Sequence, residues 1–235
     1  MFATKTKPRT MAVTLRVLAR LLGYPDADMR EHLDEMRQAL QREGALGGAR
    51  LVELDALISG IGNQSAIDAE ADYVQLFDSG RRTSLHLFEH VHGDSRDRGP
   101  AMIDLGQTYE KAGLVLAEGE LPDYLPAVLE FVSTQPPVEA RAFLGEMAHI
   151  FNAIFGALQQ RESAYASVLG ALLELTGEKA QPVTPAAEEA LDESWAEPVV
   201  FDGCSSKGQG KPGQAQPIQI VRQRSAGVAQ TGAES

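Results

Sequence analysis

The densest chemistry in this 235-residue chain lies between Ser84 and Gly99, in the run SLHLFEHVHGDSRDRG. Three of the five histidines, His86, His90 and His92, fall within seven residues, and Asp94, Arg96, Asp97 and Arg98 follow Gly93. Two chemistries suit such a run. His86-x-x-Glu89-His90 has the letters of the inverted zinc-protease motif, in which two histidines hold the metal and the glutamate serves as base. On a helix the two histidines, four residues apart, share a face with Glu89 at its edge. A catalytic zinc would still need a third protein ligand and an open position for water, and no spacing singles out His149 or any acid of the last helices for that role. The second chemistry is a polar junction between two helices. There the histidines hydrogen-bond around a tight glycine turn, and Arg96 and Arg98 pair with Asp94, Asp97 or Glu89. The junction is the reading adopted, with a zinc-dependent hydrolase using His86, Glu89 and His90 as the alternative.

Other catalytic schemes find less support. Ser84 and Ser95 have histidines nearby, but no strand-to-helix elbow presents a nucleophilic serine. Cys204 has no basic neighbour to activate its thiol. No glycine-rich loop follows a strand, which removes the usual dinucleotide and P-loop sites. A binding surface is better founded. Tyr73-Val74-Gln75-Leu76-Phe77 places bulky groups on more than one face of its helix, and the surplus could line a groove for an amphipathic partner helix.

Helices must position these groups. Val13, Val17, Leu18, Leu21 and Leu22 recur at helical spacing until Gly23-Tyr24-Pro25 stops them. Asp26 or Asp28 caps a second helix with Met29, Leu33, Met36 and Leu40 on one stripe. Leu51, Leu54, Leu57 and Ile58 mark a third. Ser65 opens a fourth, with Ile67, Ala71, Val74 and Phe77 on one face and Tyr73 and Leu76 beside them. In the His-rich run Ser84 reads as an N-cap, Leu85, Phe88 and Val91 as inward-facing, and Gly93 as the C-terminal glycine. Met102, Leu105, Tyr109 and Ala112 follow on another helix. The turn Leu121-Pro122-Asp123-Tyr124-Leu125-Pro126 leads into Val128, Leu129 and Val132. Val138 to Leu158 gives the strongest helical signal, and Ser163 to Thr176 the last. No segment alternates with period two. The expected fold is all-α, a single domain of roughly eight to ten helices over residues 1–176.

From residue 177 to 235 Pro, Gly, Gln, Ser and Ala dominate, and the expectation is a largely disordered tail. Within it residues 191–201 form a short acidic segment around Trp195, the single tryptophan. Hydrophobic residues make up 43% of the chain, enough for one core. A formal charge of -12 argues against nucleic acid as a partner, because phosphate binding needs clustered Lys and Arg. One cysteine cannot form an internal disulfide and suits a reducing compartment. No secretory signal and no membrane span are legible, so a cytoplasmic location is expected.

Several of these stretches together resemble a known family. Tyr73-x-x-Leu76-Phe77-Asp78, the Ser84–Gly99 run and Leu121-Pro122-Asp123-Tyr124-Leu125-Pro126 are similar to the nitrate reductase delta-subunit family of assembly chaperones. Leu21-Leu22-Gly23-Tyr24-Pro25 and Trp195-Ala196-Glu197-Pro198-Val199 are similar to its two ends. The resemblance implies an all-helical, non-catalytic chaperone with no resident cofactor or metal. Its partner would be the immature catalytic subunit of respiratory nitrate reductase, engaged through that subunit's N-terminal segment among other contacts and held competent for molybdenum cofactor insertion. Under this resemblance Tyr73, Leu76, Phe77, His86, His90, His92, Asp94, Arg96, Asp97 and Arg98 are the candidates for partner recognition or for the architecture that supports it. A direct contact of the cofactor with Arg96 and Arg98 is a further option.

Overall fold

The computed structural model describes residues 10–178 apart from Asp94. The chain divides into two units, residues 1–186 and 187–235, and every described residue belongs to the first. The expectations for the tail, including Trp195 and Cys204, lie outside the described residues.

Among the described residues there are eleven α-helices and one 3-10 turn: α1 Ala12–Leu22, α2 Ala27–Glu31, α3 Leu33–Glu43, α4 Gly48–Asn63, α5 Ala66–Phe77, the 3-10 turn Arg81–Thr83, α6 Leu87–Val91, α7 Arg98–Lys111, α8 Leu125–Ser133, α9 Pro137–Glu146, α10 Ala148–Gln160 and α11 Ala166–Thr176. The only β pairing among the described residues is an isolated antiparallel bridge between His86 and Tyr124. The class is all-α, as the sequence suggested, with more helices than the eight to ten expected because two stretches read as single helices are broken. At His32 (φ -98°, ψ 8°) the ring Nδ1, 2.7 Å from the Asp28 carbonyl, takes the place of the backbone amide that would continue the helix, and the amide bonds Met29 instead. At Met147 the amide likewise reaches back only three residues, to Leu144, so α9 ends there and α10 begins at Ala148.

Two helices form the centre of the unit: α11, apolar nearly all round, and α1, which buries one broad apolar face and turns Arg16 and Arg20 outward. In α11, Val168, Leu169, Ala171, Leu172, Leu173 and Leu175 are buried, and the helix packs against α4, α9 and α10. In α1, Leu15, Val17, Leu18, Leu21 and Leu22 are buried, mainly against α8 and α3. The periodicity in α5 is rotated from the expected face. Ala69, Tyr73 and Phe77 point inward, while Ile67 and Val74 are 78% and 43% exposed. Aromatic rings stacked on Tyr73 and Phe77 fix that rotation, since burying them removes more apolar surface than the aliphatic stripe would.

Three helix starts are closed by carboxylates from other parts of the chain. Glu43, the last residue of α3, accepts from the amides of Val13 (3.2 Å) and Thr14 (2.6 Å) at the start of α1, whose own N-cap, Met11, has no side-chain acceptor. Glu174 of α11 accepts from the amide of Gly47 (2.6 Å) just ahead of α4. Asp123 does the same for α6. Each bond satisfies an otherwise orphaned amide and places negative charge at the positive end of a helix. Glu43→Ala is expected to lower stability by about 1 kcal/mol, measured as a shift of the urea midpoint with an unchanged slope.

Candidate functional site

The His-rich run folds as a short junction rather than one long helix. Gly93 adopts a left-handed backbone (φ 52°), as expected of the closing glycine. Ser84 is not the helix cap: α6 starts at Leu87, and the Ser84 hydroxyl accepts instead from the amide of His86 (3.2 Å). Leu85 and Leu87 are buried, whereas Val91 faces outward. His86 itself is extended (φ -86°, ψ 105°) and precedes the helix. The shared helical face assumed for His86 and His90 is therefore not formed. His90 Nε2 lies 2.9 Å from the Ser84 carbonyl, which can only accept, so that nitrogen carries a proton and is spent on the junction. Among the described residues no three of His, Cys, Asp and Glu converge with metal-binding geometry.

At the centre of the junction is Asp123, fully buried in the turn before α8. One carboxylate oxygen accepts from His86 Nδ1 at 3.2 Å, and the other from the amide of Phe88 at 3.1 Å, in the first turn of α6. The backbones on either side are clamped as well: Leu87 N–H donates to the Asp123 carbonyl (3.0 Å) and Leu125 N–H to the Leu85 carbonyl (2.8 Å). Arg98, at the start of α7, brings Nη2 to 3.5 Å from Glu89 and 3.9 Å from Asp123. Of the two acids offered as partners for Arg98 that the structure describes, Glu89 is the one engaged. The hydrogen bond to Asp123 raises the pKa of His86 above its usual value, with burial opposing and the Asp123 and Glu89 charges assisting.

The junction continues through Tyr124 into the core. The His86 and Tyr124 rings lie 5.3 Å apart, and the Tyr124 hydroxyl is 3.3 Å from that of Tyr73. Tyr73 donates to the Leu22 carbonyl at the end of α1 (2.7 Å), and its ring packs on Phe77 and Tyr165. Burial raises the pKa values of the Tyr73 and Tyr165 hydroxyls. Thus Tyr73, Phe77, His86, His90 and Arg98 belong to one continuous structure. His92 is half-buried with its ring edge against Phe88, and Arg96 and Asp97 are exposed on the turn into α7. Asp94 lies outside the described residues. Leu76 is half-buried on a different side, facing a groove of about 740 Å³ between α4, α5 and the turn before α11. Leu57, Ile61, Ala69 and Tyr165 line that groove with Leu76, and Asp72 and Arg161 stand among its polar residues.

Asp123 and Tyr124 were not among the sequence candidates. Their turn was conspicuous, but an aspartate just ahead of a helix ordinarily reads as that helix's own cap, and only the fold turns its carboxylate toward α6.

The comparisons with known proteins agree with this architecture. Residues 25–169 match the family described as nitrate reductase delta subunit. The chain belongs to that family. It is 40% identical over 201 residues to the nitrate reductase molybdenum cofactor assembly chaperone NarJ of Escherichia coli K12, covering 80% of this chain and 84% of the relative. A Bacillus subtilis protein provisionally given the same name is 30% identical over 164 residues, covering 68% of this chain and 86% of the relative. In fold the chain is similar to a crystal structure from Archaeoglobus fulgidus, provisionally named a redox enzyme maturation protein (TM-score 0.50, 19% identity, 76% of this chain and 98% of that one). No helix among the described residues is long and apolar enough to cross a membrane.

The raised His86 pKa gives a pH signature. Its ion pair stabilises the fold below the unfolded value of about 6.5 and that contribution is lost as pH rises through the raised folded value. Denaturation between about pH 5.5 and 8.5 should show this loss in the wild type and not in Asp123→Asn. Asp123→Ala, which also strands the Phe88 amide, is expected to cost about 3 kcal/mol.

Proposed function

We propose that this protein is an assembly chaperone that binds the immature catalytic subunit of respiratory nitrate reductase, including its N-terminal segment, and enables molybdenum cofactor insertion before the enzyme docks at the membrane. The observation that carries the proposal is the 40% identity to a chaperone of that description over four-fifths of both chains. The geometry supports a binding rather than a bond-breaking role. The two histidines of the zinc-like motif are committed to Asp123 and to the Ser84 carbonyl.

The groove between α4 and α5 is the proposed seat of the N-terminal segment. Its floor is apolar, and its size suits three or four large side chains from one face of an amphipathic helix. Burying these at about 1.5–3 kcal/mol each, less the cost of ordering the segment, gives micromolar to nanomolar affinity. Such a complex can still be released when assembly is complete. Tyr73, Phe77, His86, His90 and Arg98 act in this scheme by holding α5, α6 and α8 in register. Leu76, His92, Arg96 and Asp97 are the candidates that reach the surface.

Calorimetric titration of the full-length protein with a synthetic peptide of the N-terminal segment tests the proposal. Saturable one-to-one binding is expected, weakened about tenfold by Leu76→Ala, which removes one apolar contact. The same variant should melt within a few degrees of the wild type. A titration without heat, together with full cofactor loading of the reductase in cells lacking this chain, would defeat the proposal.

A further inference from the structure

The outward face of α5 is unlike the rest of the surface. Ile67 (78% exposed), Ala71 and Val74 (43% exposed) form a straight line along it, one helical turn apart. Tyr24, 44% exposed, extends the line sideways, its ring standing edge-on to Tyr73 at 5.7 Å. Other exposed aliphatics, such as Val52 on α4 and Val138 on α9, have no second large exposed aliphatic on the same helix, as is ordinary on a protein surface. Here the aliphatic line exists because the aromatic rings of α5 took the inward position, leaving a second apolar face without a partner among the described residues.

The charges around that line have one sign. Glu70 borders it on the Tyr24 side and Asp68 on the other, and Asp78 follows the end of the helix in the same line. Helix α5 contains no lysine or arginine. Near its ends Arg30 donates to the Ile61 and Gln64 carbonyls and Arg161 to that of Leu76, and Arg81 and Arg82 follow in the 3-10 turn beyond Asp78, both engaged in interactions of their own. An apolar stripe bordered by acids is complementary to a partner surface with aliphatic or aromatic side chains between lysines and arginines. A second copy of this chain would bring like charges together, which disfavours self-association through this face.

We propose that the outward face of α5, centred on Ile67 and Val74, is a second docking surface that receives a basic, apolar surface of the catalytic subunit outside its N-terminal segment. The proposal rests on the chaperone reading above. It gives one helix two contacts, with Leu76 on the groove side and Ile67 with Val74 on the outer side. A segment held in the groove raises the local concentration of the rest of the subunit, so that even a weak second contact is occupied.

The test compares two probes on the full-length protein: the synthetic N-terminal peptide, and the cofactor-free catalytic subunit. Ile67→Ser with Val74→Ser, and separately Asp68→Lys with Glu70→Lys, should weaken binding of the subunit about tenfold or more while leaving peptide affinity unchanged. The charge-reversed variant should also lose most of the salt dependence of subunit binding. Val138→Ser, on a distant exposed aliphatic, should alter neither. Matching melting temperatures establish that the variants fold. Equal subunit affinity in wild type and both double variants would overturn the second surface while leaving the chaperone reading intact. So would an effect confined to self-association in sedimentation. A wild type that binds neither probe would remove both.

Discussion

Several helices of this protein are not closed by their own sequence. The starts of α1, α4 and α6 receive a carboxylate from α3, α11 and the turn before α8 respectively. The bonds at the starts of α1 and α6 are part-buried, where an unpaired amide costs on the order of 1–3 kcal/mol, so these two helices form fully only when the distant segment has arrived; at the exposed start of α4 water can stand in for Glu174. Secondary and tertiary structure are thereby tied together. The junction around Asp123 depends most strongly on this device, because α6 is only five residues long and has little helical stability of its own.

That dependence explains the density of charged and titratable groups in the His-rich run. A buried carboxylate is tolerable when every oxygen has a donor, and Asp123 has the His86 ring on one side and the Phe88 amide on the other, with Arg98 and Glu89 completing the charge balance. The histidines therefore form architecture around an acid that lies 37 residues away from His86 in sequence. Through Tyr124 and Tyr73 the same network reaches the end of α1, so that four helices share one set of hydrogen bonds. For a chaperone, whose substrate-facing surfaces must be apolar and exposed, such a polar interior lock keeps the fold defined while leaving greasy surface available outside.

Helix α5 joins the lock to those surfaces. Its inward face is aromatic and belongs to the core, its flank toward α4 borders the groove, and its outer face carries aliphatic residues among acids. Three different surroundings on one twelve-residue helix account for a pattern too apolar for a simple amphipathic stripe. The acidic net charge of the chain has the same logic: it keeps a protein with exposed apolar surface soluble and biases it toward basic partners.

The sequence by itself determined the helical class, most of the helix positions and the family, because these follow from short-range periodicity, from turn residues such as Gly93 and from long matching runs. It also marked the Ser84–Gly99 stretch and the 121–126 turn as special. Tertiary structure alone decided what those stretches do. The pairing of His86 with Asp123, the rotation of α5 that sends Ile67 and Val74 outward, and the breaks at His32 and Met147 all depend on which groups meet across long separations or on small differences in hydrogen bonding. Local pattern records which residues are able to bond or to be buried. The choice among those options is made by packing, where a buried carboxylate must find its donors and the larger rings claim the interior first.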